Sequence, residues 1–105
     1  MKVRIREGSW MARLAAGKLK TEQVAMVIGQ TIYLHNTTRE EFLSDTQWVC
    51  HELTHVQQYR EHGVAGFLAK YVVDWLKNGY YQNRFEVQAR AGESDLGLLE
   101  NVRFI

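Results

Sequence analysis

Lys2-Val3-Arg4-Ile5-Arg6 alternates polar and apolar side chains, the period of a strand with one buried face. Ser9 is suited to cap a short helix over residues 10 to 16 that Gly17 would stop. Residues 24 to 34 read as a small hairpin turning near Gly29-Gln30. The period then changes to that of a helix. Thr38-Arg39-Glu40-Glu41 fits a capping box, in which the Thr38 hydroxyl accepts from the Glu41 amide and the Glu41 carboxylate reaches back to Thr38. Phe42, Thr46, Val49, Leu53, Val56 and Arg60 follow at spacings of three or four, while Trp48, His51, Glu52, His55, Tyr59 and His62 fall on another face. With Gly63 as its stop, this pattern predicts one long helix over residues 39 to 62. A second helix is predicted from Val64 to Lys77, carrying Phe67, Leu68, Tyr71, Val72 and Trp75 and ended by Asn78-Gly79. Asn83 is a good cap for a third, running through Arg84 to Ala91. The fold class is therefore α+β: a short N-terminal strand and a small hairpin followed by three helices.

The central helix carries the chemistry. His51-Glu52-Leu53-Thr54-His55 is an HExxH pattern, and two histidines four apart on a helix lie on one face about a turn apart. Both imidazoles can then reach a single Zn²⁺, with Glu52 beside them as a general base. The alternative, a solvated helix face, fits poorly with the apolar flanks Trp48-Val49-Cys50 and Val56. Cys50 lies about 100° around the helix from His51, which favours a packed thiol over a ligand, and a lone cysteine makes no intrachain disulfide.

A catalytic zinc site normally takes three protein ligands and leaves a position for water. The metzincin arrangement is excluded, because Gln58 and Glu61 stand where it needs Gly and His. His62 is two turns beyond His55, about 10 Å along the axis, too far to share one ion. His35 reads as a loop or capping histidine. On the third helix Glu86 is the preferred ligand: it sits in the first turn beside Phe85, with small Ala89 allowing close approach. Glu93, in a region that looks like a helix end, and water or another group are the alternatives.

HELTHVQQY followed some thirty residues later by NRFEVQA resembles the gluzincin-type zinc metallopeptidases. More narrowly, it is similar to small bacterial HExxH domains related to the core domain of extracellular contractile injection systems. Gly29-Gln30-Thr31-Ile32-Tyr33-Leu34 resembles the strand preceding the motif helix in that group, and the likeness runs over about residues 24 to 91. It implies a minimal zincin-like domain with His51, His55 and Glu86 as zinc ligands and Glu52 as the catalytic base. Val87-Gln88-Ala89-Arg90 lacks the acid that better-known gluzincins place after the third ligand, so the partner that orients a ligand histidine is not identified from sequence.

The expected activity is hydrolysis of a peptide or amide bond by a water activated at zinc, with Glu52 moving the proton. Tyr80 and Tyr81, just before Glu86, are candidate donors to the transition-state oxyanion, and Tyr59 is a further one. At 105 residues a single domain spanning 1–105 is expected, small for a zinc peptidase. A net charge of +1 with mixed signs gives no case for nucleic acid, and no apolar run approaches the ~20 residues needed to span a bilayer. With no secretory h-region at the N-terminus, the cytoplasm is the expected compartment. Two other classes compete with the peptidase: a zinc-binding, non-catalytic interaction module acting with a partner protein, and, last, a peripheral membrane role for the Phe67-Tyr71-Trp75 face. The short chain also suggests that the cleft is completed by a second copy or a partner, through Trp48, Tyr80 and Tyr81.

Overall fold

The computed structural model describes residues 1–19 and 21–105. In chain order the elements are β1 (Lys2–Arg6), α1 (Trp10–Leu19), β2 (Val24–Ile28), β3 (Thr31–His35), α2 (Arg39–Ser44), α3 (Thr46–His62), α4 (Val64–Asn78) and α5 (Arg84–Ala91). Two 3₁₀ turns, Gly92–Ser94 and Leu96–Leu99, and a short strand β4 (Arg103–Phe104) complete the chain. The fold is α+β, as the pattern predicts. No helix among the described residues is long and apolar enough to cross a membrane.

The strands form one sheet in the order β2-β3-β1-β4. β2 and β3 are an antiparallel hairpin in which Val24 pairs with His35 and Ile28 with Thr31; Gly29 supplies the positive φ of 64° that the two-residue turn requires. β1 lies parallel to β3, and β4 parallel to β1. Alternation along the hairpin sorts side chains to two faces. Val27, Ile32 and Leu34 join Val49, Leu53 and Val56 of α3 in the main core, whereas Val24 packs with Ala12 and Ala16 of α1, beside Met26 and Tyr33. The sheet is thus held between α1 and α3.

Two boundaries differ by more than a residue from the sequence expectation. The helix predicted over residues 39 to 62 is two helices. The Thr38 capping box forms as expected, with Glu41 N donating to Thr38 Oγ1 at 3.1 Å and Thr38 N to Glu41 Oε1 at 3.2 Å. Asp45 then breaks the helix at φ −99°, ψ 89°: its amide closes α2 on Phe42 O, and its carboxylate caps α3 by accepting from Trp48 N. One residue serves as stop and start. Secondly, α1 continues past Gly17 to Leu19, because the helical glycine costs only about 1 kcal/mol while Ala12 and Ala16 are buried against the sheet. Ser9 does cap it, its hydroxyl accepting from Ala12 N at 3.3 Å. In the sheet, β3 is an interior strand and the edge strand beside α3 is β2.

Gly63, at φ 75°, ends α3 with its amide on Tyr59 O at 2.8 Å and turns the chain into α4. α4 then crosses α3, burying Phe67 against Tyr59. Asn83 is fully buried: Oδ1 accepts from Phe85 N at 2.9 Å to cap α5, and Nδ2 donates to Tyr71 O at 3.0 Å, tying α5 to α4. That tie sets Glu86, one turn into α5, against the histidine face of α3.

Candidate metal centre

His51 and His55 stand one turn apart on α3, ring centroids 5.2 Å apart, and both direct Nε2 at the same oxygen. Glu86 Oε1 lies 3.1 Å from His51 Nε2 and 3.0 Å from His55 Nε2. The ligating atoms of the three residues all fall within 4.8 Å of one another. The other ring nitrogens face acceptors. His51 Nδ1 donates to Glu93 Oε2 at 2.9 Å, and His55 Nδ1 donates to Gln58 Oε1 at 2.8 Å. The Gln58 amide has its orientation fixed, since its nitrogen donates to Gln88 Oε1 at 2.7 Å and Phe85 O at 3.2 Å.

These bonds decide what the centre can hold. With each Nδ1–H committed, a neutral ring presents an Nε2 lone pair, and two such lone pairs converge on a carboxylate oxygen. Three acceptors in a buried space need positive charge among them, either added protons or a cation. Two imidazole nitrogens and a carboxylate oxygen are a donor set for a transition-metal ion, zinc and iron(II) among them. His51, His55 and Glu86 therefore fit a metal ion by their chemistry as well as their spacing.

Without a metal, electrostatics move the protons in the direction this argument requires. Burial lowers the His51 pKa, but the hydrogen bond to Glu86, the charge of Glu52 and the bond to Glu93 outweigh it and raise it to about 9. His55 is raised for the same reason, burial opposing and Glu86 prevailing. Burial pushes the Glu86 carboxyl up, yet hydrogen bonds from His51 and His55 hold it well below the usual carboxylate range. Tyr71 contributes as well: its hydroxyl donates to Glu86 Oε2, leaving Oε1 to face the histidines.

Glu52 is 5% exposed and lines both lobes of the cleft that opens over the centre. Burial, more than any charge, raises its pKa to about 7; the neighbouring histidines pull it down and Glu86 pushes it up. A carboxyl poised near neutrality can both take and return a proton.

Of the residues singled out in the sequence, His51, Glu52, His55 and Glu86 come together. Glu93 lies behind His51, oriented by a close approach: a Cβ at the preceding Gly92 would stand 2.2 Å from Thr54 Oγ1 on α3. Tyr80 is half-buried and lines both lobes with Glu52. Tyr81 is 67% exposed, stacks under the Arg90 guanidinium 4.0 Å away and lines neither lobe. Tyr59 lines the α4 side of the cleft. His62 is directed at Lys70, 3.1 Å from Nζ, away from the centre. Cys50 is buried, its thiol 3.5 Å from Asp95 O. Sequence reasoning missed Gln58 and Tyr71. Gln58 had a signal, since a residue three beyond His55 on a helix is its neighbour; Tyr71 had only the look of a packing aromatic.

The eCIS core domain matches residues 1–63 of the 105. The chain belongs to the eCIS core domain family. The match begins at residue 1 and stops at Gly63, where the resemblance read from the sequence ran from about residue 24 to 91. In this eCIS core domain the matched segment carries His51, Glu52 and His55, and Tyr71 and Glu86 follow it on α4 and α5. No match was found among curated proteins or among solved structures.

Proposed function

We propose that this eCIS core domain is a zinc-dependent metallopeptidase, with His51, His55 and Glu86 as ligands and Glu52 as the base. Bound there, zinc supplies Lewis acidity, lowering the pKa of a ligand water and polarising a carbonyl. Glu52 takes the proton of the attacking water and delivers it to the leaving amine. Glu93 and Gln58 keep the imidazoles in the tautomer that presents Nε2, and Tyr71 holds the Glu86 carboxylate. Tyr80 is the candidate oxyanion donor, since burial first, and then the charges of Glu86 and Glu52, hold its hydroxyl protonated. The outer edge of β2, with Val24 and Ala25 lining both lobes, offers main-chain groups to an extended substrate.

The observation that carries this reading is Glu52. A purely structural ion needs its ligands alone, and burying a further carboxyl beside them costs free energy. Here it is buried, stands next to His51 and opens on the cleft. Glu52→Gln should keep close to one zinc per chain and lose hydrolysis of a mixed peptide library; equal turnover in the variant would end the proposal.

A second reading is a zinc-binding interaction module that works with a partner protein, and α4 favours it. Val72, Val73 and Leu76 are large, apolar and exposed, Leu76 at 81%. In that case wild type and Glu52→Gln both bind zinc and neither cleaves.

A further inference from the structure

The cleft beside Glu52 is chemically lopsided. Toward the start of α3 it is a lobe of about 490 Å³ with mixed walls, Thr21, Gln23 and Gln47 beside Leu19 and Trp48. Toward α4 it is a lobe of about 320 Å³ between Leu14 and Leu19 of α1 on one side and Phe67, Leu68 and Trp75 of α4 on the other. Leu14 is 63% exposed and Leu68 39%. Both rims thus hold large apolar side chains in water, and an apolar ligand placed between them removes that surface from solvent.

Two observations select the ligand. β2 is the outermost strand of the sheet on this side, and its residues Val24 and Ala25 line both lobes, so one strand edge runs past Glu52 from the mixed lobe to the apolar one. A main chain added to that edge would send alternate side chains toward the lobes. The apolar lobe is also small, at the low end for ligand pockets, and suits a single large side chain better than the face of a helix.

We propose that the α1–α4 lobe is a subsite for one bulky aliphatic or aromatic side chain of an extended peptide aligned on β2, which sets the adjoining peptide bond beside Glu52. The consequence for cleavage rests on the peptidase reading; the binding does not.

Zinc-loaded Glu52→Gln protein is titrated into fluorescein-labelled peptides identical except for a central Leu or Ser, and affinity is read by fluorescence polarisation. The Leu peptide should bind at least about tenfold more tightly, as expected for one buried leucine side chain. Leu68→Asp in the same background should weaken the Leu peptide about tenfold and leave the Ser peptide unchanged. Leu14→Asp, on the opposite wall and already largely in solvent, should do the same, so the test survives misfolding of either variant. Equal affinity for the two peptides, or indifference to both substitutions, overturns the subsite. Digestion of a mixed library by the wild type separates the two claims. Cleavage with no large apolar residue beside the cut would overturn the subsite and keep the peptidase; preferential Leu binding without any cleavage would keep the subsite and overturn the peptidase.

Discussion

Replacing Gln58 with leucine removes a side chain that bonds to both ligand-bearing helices. Gln58 is 2% exposed, accepts from His55 Nδ1 at 2.8 Å and donates to Phe85 O and Gln88 Oε1 on α5. Leucine fills a similar volume, so the packing loss is small and the hydrogen bonds dominate. Gln88 is exposed and can turn to water, but His55 is 7% exposed and its Nδ1–H is left without an acceptor. One buried unsatisfied donor costs about 1–3 kcal/mol, which in a domain of this size lowers the melting temperature by roughly 5–20 °C. The same change frees the imidazole to reorient, and loss of such a partner typically weakens metal binding about 10- to 100-fold. Gln58→Glu restores an acceptor for Nδ1–H while giving up both contacts to α5, so it should recover most of the zinc affinity and less of the stability. Chelator competition for zinc and thermal melts with and without metal read the two effects separately. Zinc affinity unchanged in Gln58→Leu, or Leu and Glu variants that behave alike, would refute the argument that Gln58 sets the His55 tautomer.

Tyr71→Phe keeps the ring against Phe67 and Trp75 and deletes the hydroxyl that donates to Glu86 Oε2, so zinc affinity in chelator competition should fall about tenfold with little change in fold; unaltered affinity would reduce Tyr71 to packing. The metal-free protein should lose stability as pH rises. His51 is raised to about 9 in the folded state, against about 6.5 when unfolded, so its contribution is full below pH ~6.5 and lost as pH passes 9. Glu52, raised to about 7, acts with the same sign between pH ~4.5 and 7. Urea unfolding at intervals from pH 5 to 9.5 should show this decline, and zinc affinity should climb over the upper part of the range as protons are displaced from the histidines; metal-free stability that rises across it contradicts the assigned proton positions.

How far the sequence reveals this structure depends on how local each feature is. The capping box at Thr38 and the Asn83 cap involve side chains within three residues of the backbone groups they bond, the Gly63 stop bonds its amide to Tyr59 O one turn back, and all form as read. The break at Asp45 is equally local but hidden, because apolar positions keep helical spacing from Phe42 through Val49 and so mask the change of axis; Asp45 three residues before Trp48 was the available signal. β4 has two residues, too few for a period, and exists only because the chain returns to pair with β1. At the metal centre the pair on α3 follows from helix geometry alone. Glu86 required a preference between two acids, and the structure gives both a place: Glu86 in front of the imidazoles and Glu93 behind His51. Tyr71 is legible only once α4 is laid across α3, since on its own helix it shares a stripe with Phe67 and Trp75.

The central claim is that His51, His55 and Glu86 hold one metal ion. Protein purified without a metal-affinity tag, saturated with zinc and crystallised, can be measured on both sides of the zinc absorption edge. The account predicts one anomalous peak per chain, within bonding distance of His51 Nε2, His55 Nε2 and a Glu86 carboxylate oxygen. A peak elsewhere on the chain, or none at these three residues in saturated crystals, contradicts it.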